Sequence, residues 1–133
     1  MKIFTRILVA LLLLFNGIGA LYGSFSLISD PTGAKLQLPL SYLVPTPFNN
    51  YLIPGIILLC VNGFFSFLTL AFLLAKHRRA PELVIVQGIL LSGWIIVQII
   101  LLQMFYIPLH GTFLSVGILL IFCGLYLRKI AKR

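Results

Sequence analysis

Negative charge is almost missing from this chain. Among 133 residues only Asp30 and Glu82 carry a carboxylate, against ten Lys and Arg, and charged residues make up 9% of the whole. An average soluble domain is about 25% charged. A soluble fold needs polar groups to cover its outside, and a chain that is 61% hydrophobic has too few. The bilayer is the solvent that removes that need. Neither carboxylate lies within an apolar run. This excludes a proton-coupled exporter of the small multidrug type, which needs a membrane-embedded carboxylate to exchange protons for a cation. Cysteine is scarce too. Cys60 and Cys123 form no C-x-x-C pair, so thiol–disulfide relay chemistry lacks its basic unit. They read as small buried hydrophobes, about 10 Å apart in depth and beyond the ~7 Å that a disulfide tolerates. His77 and His110 fall at opposite membrane faces without Cys, Asp or Glu partners, so no metal site is expected. Ser24, Ser26, Ser41, Ser66, Ser92 and Ser115 have no adjacent base, and there is no glycine-rich phosphate loop. The residues point to no enzyme and to no cofactor.

What the chain does have is four long apolar runs. They predict an all-α polytopic membrane protein, one domain over 1–133, with four transmembrane helices in an up-down bundle at about 7–29, 48–75, 82–106 and 111–127. The first run follows Lys2 and Arg6, as a signal peptide does, with Gly19-Ala20 as a passable cleavage site. It continues past Ala20 through Leu21, Tyr22, Phe25 and Ile28, longer than a signal peptide's apolar region, and reads as a retained helix. Asp30-Pro31-Thr32-Gly33 is a turn. The segment 30–47, with Pro39, Pro45 and Pro47, is too short and broken to span, and reads as interfacial. Thr46 is suited to cap the second helix with Pro47 at its first position, and Pro54 should bend it. Glu82 opens the third helix, where an acid meets the positive end of the dipole.

Orientation follows from Lys and Arg. Lys2, Arg6, Lys76, Arg78, Arg79, Arg128, Lys129, Lys132 and Arg133 fall on one side, and only Lys35 on the other. That bias places both termini in the cytoplasm. It also argues against a phosphate-binding face for nucleic acid, because the basic residues flank apolar runs in short clusters. Membrane lipids, a second copy of the chain or a partner membrane subunit are the expected partners. Tyr22, Tyr42, Tyr51, Phe105 and Tyr106 gather at the outer ends, as an interfacial aromatic belt does.

The polar residues inside the spans are Asn16, Asn62, Gln87, Gln98 and Gln103. At about 100° per residue, Gln87, Trp94 and Gln98 share one face of the third helix. Gly55, Asn62, Ser66 and Thr69 form a stripe on the second. Asn16, Gly19, Ala20 and Gly23 form one on the first, and Gly19-x-x-x-Gly23 is a small-residue packing motif. Asn16, Asn62 and Trp94 fall near mid-depth with Gln98 slightly outward, so these four are the candidate ligand-binding set. Trp94 at that depth should point inward with its indole N–H satisfied. Two readings stay open. The amides are structural, bonding between helices; or they line a pocket that binds a lipid-soluble molecule or passes a solute. A pore-forming holin-like protein fits the size and the basic tail, and fits the Pro-rich segment poorly.

The order Asp30-Pro31-Thr32-Gly33, Leu36, Pro47-Phe48, Pro54-Gly55, Leu58 or Leu59, Asn62-Gly63, and then Gly93-Trp94-Ile95 with Gln98, resembles an uncharacterised family of small bacterial four-span integral membrane proteins. The resemblance covers about three quarters of the chain, from the first helix to the third. It implies the four-span topology, a place in a bacterial cytoplasmic membrane and a role for the Pro-Phe, Pro-Gly, Asn-Gly and Trp-x-x-x-Gln positions, and it implies no reaction.

Overall fold

The computed structural model of the protein describes residues 2–33, 47, 49–102 and 111–131. Four helices account for most of them: α1 (Lys2–Ser29), α2 (Leu52–Leu74), α3 (Ala80–Leu102) and α4 (Thr112–Ala131). Each is long and apolar enough to cross a membrane. There is no strand among the described residues. Successive helices pack on one another, and α1 closes the ring against α4. The start of α1, the α2–α3 connection and the end of α4 meet at one end of the molecule. The result is the all-α up-down four-helix bundle that the apolar runs predict.

The helix ends differ from the expected ones in instructive ways. α1 begins at Lys2 rather than near Ile7, and α4 continues past Leu127 to Ala131, with Arg128 and Lys129 in its last turn. Basic residues do not end a helix; at a C-terminus they face the negative end of the dipole. α2 begins at Leu52 rather than near 48. Thr46, expected to cap it, the expected end of α3 near Tyr106, and residues 34–46 of the interfacial segment lie outside the described residues. The Asn50 side-chain oxygen accepts from the Leu52 amide at 3.0 Å. With that start, Pro54 is the third residue of the helix, where no intrahelical N–H bond is lost. The irregularity of α2 lies further in, as a π segment at Leu59–Phe64. Such single π turns inside α-helices are frequent at functional sites.

Two local structures tie the ends together. At the end of α1, the Gly33 amide donates to the Asp30 carbonyl at 3.0 Å, and Gly33 has φ 82°, which closes the expected turn. The Tyr51 amide donates to the Pro31 carbonyl at 2.9 Å, and Tyr51 is buried rather than part of an exposed belt. Tyr22 is exposed, as expected. At the other end, α2 stops in a Schellman arrangement: His77 N–H bonds to Phe72 O at 3.0 Å and Lys76 N–H to Leu73 O at 3.1 Å. The Phe72 and His77 rings meet at 4.7 Å, the apolar contact that accompanies this motif. The residue that must turn left-handed is Lys76, at φ 57°. Glycine is the usual occupant, so a lysine here holds a conformation that disfavours a side chain.

The outside of the bundle is apolar. On α1, Phe4, Leu11, Ile18 and Phe25 repeat every seven residues, and all are more than half exposed. Facing water, such a stripe would be an exposed patch of a size soluble monomers avoid. Facing lipid it is the expected surface. The protein is a multi-pass membrane protein. Inside, an apolar layer of Val9, Leu13, Leu73, Val84, Leu91 and Leu120 fills the bundle.

The seam between α3 and α4 is built from small residues. A methyl group added at Gly88 would lie 2.7 Å from the Gly117 carbonyl oxygen and 2.8 Å from the Ile121 nitrogen. One added at Gly124 would lie 3.0 Å from the Ile85 nitrogen. These are backbone atoms, which cannot swing aside as a side chain can. Glycine is therefore required for the helices to approach this closely.

Candidate functional site

Asn16, Asn62, Ser66 and Gln87 are all fully buried, and they come from three helices. The buried stripe of α1 runs Val9, Leu13, Asn16, Ala20, Ser24 and Leu27, a helical spacing that turns Asn16 inward at mid-length. On α2 the whole expected stripe, Gly55, Asn62, Ser66 and Thr69, is buried. Asn16 Nδ2 donates to Ser66 Oγ at 2.8 Å and, at 3.5 Å, to Asn62 Oδ1. Ser66 Oγ in turn donates to Gln87 Oε1 at 3.0 Å. Gln87 Nε2 closes the ring by donating to Asn62 Oδ1 at 3.2 Å.

Two amide donors, from Asn16 and Gln87, converge on Asn62 Oδ1. With those two amides set this way, turning the Asn62 amide alone would put N–H against N–H, so its oxygen faces the ring. Its own nitrogen then faces away, and Asn62 Nδ2 is buried without a partner. Thr69 Oγ1, Ser92 Oγ and Trp94 Nε1 share that condition. Each such group carries a desolvation cost that a bonded group avoids.

Of the four candidate ligand-binding residues, the structure joins two, Asn16 with Asn62. The bonds of the ring include neither Trp94 nor Gln98. Trp94 is half-buried and packs against the apolar core, and its indole N–H is buried but not satisfied. Gln98 is half-buried, eleven positions along α3 from Gln87, or about 16 Å of axial rise. Ser66 and Gln87 take their places. A signal for this was present in the chain. Counted from the short connection between α2 and α3, Ser66 is nine positions before Ala75 and Gln87 eight after Arg79. In an antiparallel hairpin equal counts mean equal depth. Depth taken from the middle of each apolar run misses this, because such runs fade at their ends.

Of the other expectations, Cys60 and Cys123 are free thiols, but Cys60 faces outward rather than into the core. Gly19 and Gly23 are half-buried and face different neighbours, Phe113 and Leu58. The tightest fit on α1 is at Gly17, where an added methyl group would lie 2.9 Å from the Phe67 ring. Among the described residues, no three His, Cys, Asp or Glu are grouped to hold a metal. Arg79 and Glu82 form an exposed ion pair at 2.9 Å, a kind that contributes little to stability.

The chain matches no protein-family model, no curated protein and no solved structure. The resemblance to small bacterial four-span proteins rests on the sequence motifs alone.

Proposed function

We propose that this protein is a non-enzymatic integral membrane component, structural or accessory to a partner membrane subunit or to a second copy of itself. The observation that carries the reading is the buried ring Asn16–Ser66–Gln87–Asn62, in which polar side chains of three helices are bonded to one another. Polar groups used this way select one arrangement of helices, each bond contributing about 0.6 kcal/mol. On this reading the basic end faces the cytoplasm of a bacterial cell, and both termini with it, in keeping with the bias of Lys and Arg.

The alternative is a binder or transporter of a small lipid-soluble molecule at the polar cluster. Asn62 Nδ2 and Trp94 Nε1, both buried and unbonded, favour it. The two readings part on Asn62→Leu. For the structural reading, this variant melts earlier in detergent, and the same lipids and metabolites copurify with it as with the unaltered chain. Unchanged melting together with loss of one specific copurifying molecule, identified by mass spectrometry, would refute that reading in favour of a site.

A further inference from the structure

The end of the bundle where α1 starts and α2 meets α3 holds a cleft of about 650 Å³. Lys2, Arg6, Lys76 and Arg78 line it, and among the described residues no carboxylate does. Its walls are apolar: Ile3, Ile7 and Leu74 line it and are each more than half exposed, so they run on into the lipid-facing surface. The floor is fixed. The Arg6 guanidinium donates to the Leu73 carbonyl, tying α1 to the last turn of α2. The His77 ring is held between Phe72 and the Arg79 amide, which donates to its Nδ1 at 3.0 Å.

From this geometry we infer that the cleft is a binding site for an anionic phospholipid. Its phosphate lies among Lys2, Lys76 and Arg78, and an acyl chain runs along Ile3, Ile7 and Leu74. A topology signal requires only that basic residues sit in the connections. It requires neither a concave surface nor a lysine at the left-handed position where glycine costs least. Lys76 is placed there against its backbone preference, φ 57°, and lines the cleft. Strain held at one residue of a concave basic surface is a mark of function. The combination of cations with apolar walls open to the bilayer fits a lipid headgroup with its tail. A free anion would need only the cations. This inference does not depend on the role of the polar ring.

The test uses the full chain in nanodiscs of phosphatidylcholine carrying increasing phosphatidylglycerol, with retained lipid counted by native mass spectrometry. Lys76→Gly should weaken retention of phosphatidylglycerol about fivefold, which corresponds to about 1 kcal/mol for one basic residue near an anionic headgroup. Because glycine relieves the backbone, the same variant should melt no lower than the unaltered chain. Adding Arg78→Gln should deepen the loss to roughly 25-fold. The control is Arg128→Gln with Lys129→Gln, which removes two charges at the end of α4 from residues that do not line the cleft. Retention within twofold of the unaltered chain is expected for it. An equal loss in the control would overturn the proposal, since any basic charge would then serve. So would unchanged retention in Lys76→Gly, or displacement of the lipid by millimolar inorganic phosphate, which would mark a free-anion site.

Discussion

The two sides of the bundle are held together by different means. Between α3 and α4, glycines let backbone meet backbone, and the stabilisation is dispersion and close fit. Among α1, α2 and α3, the helices are joined through side-chain amides and one hydroxyl, bonded in a ring. In a bilayer there is no hydrophobic drive between helices, since lipid tails are as apolar as leucine. One seam answers this with shape and the other with direction. A close-fitting seam tolerates no added volume. A bonded seam tolerates change in volume better than loss of a partner.

Breaking the first seam should cost the most. Gly88→Ala places a methyl group against the backbone of Gly117 and Ile121, and overpacking of this kind costs about 1–3 kcal/mol. The expected loss, about 2 kcal/mol, is read from unfolding in mixed micelles or bicelles. Gly93→Ala is the matched control. An added methyl group there meets nothing within 4 Å, so it should be neutral, or stabilising by up to about 1 kcal/mol through helix propensity. If both alanines behave alike, the α3–α4 approach is not what glycine serves.

The second seam should cost less per residue. Asn62→Leu removes the acceptor for Asn16 and Gln87, two bonds at about 0.6 kcal/mol each, and also removes the unbonded N–H. A loss of about 1 kcal/mol is expected in the same unfolding measurement. A loss above about 3 kcal/mol would mean that Asn62 anchors more than this ring.

The smallest effect is expected at Pro54. The middle of a helix pays about 3 kcal/mol for a proline, but Pro54 lies in the first turn of α2, so Pro54→Ala should change stability by less than about 0.5 kcal/mol. A large gain in stability would show that Pro54 strains the helix after all.

These contrasts also show what could be read from the residues in advance. Four spans were legible because hydrocarbon thickness fixes their length. The inward face of α2, and Asn16 and Ala20 on α1, were legible because a stripe at helical spacing needs no knowledge of neighbours, whereas Gly19 and Gly23 of the expected α1 stripe are only half-buried. The pairing of Gln87 with Ser66 needed the register between helices, and a register is set by the connection between them rather than by the runs themselves. The α3–α4 seam escaped notice for another reason. Polar groups in an apolar run draw attention, whereas Gly88-x-x-x-Ser92 and the seven-residue spacing of Gly117 and Gly124 look like ordinary apolar sequence. The π segment has no sequence signature beyond Asn62-Gly63, and Pro54 pointed to a bend in the wrong place.

The central claim is that a bonded ring, and not mere polarity, joins α2 to α3. A double-mutant cycle on Asn62→Leu and Gln87→Leu in lipid bicelles addresses it most directly. The bond from Gln87 Nε2 to Asn62 Oδ1 predicts a coupling of about 0.6 kcal/mol or more between the two substitutions. The corresponding cycle on Gln87→Leu and Trp94→Phe, whose side chains share a helix face without sharing the ring, should be additive within about 0.5 kcal/mol. Additivity in the first cycle, or stronger coupling in the second than in the first, would contradict the account.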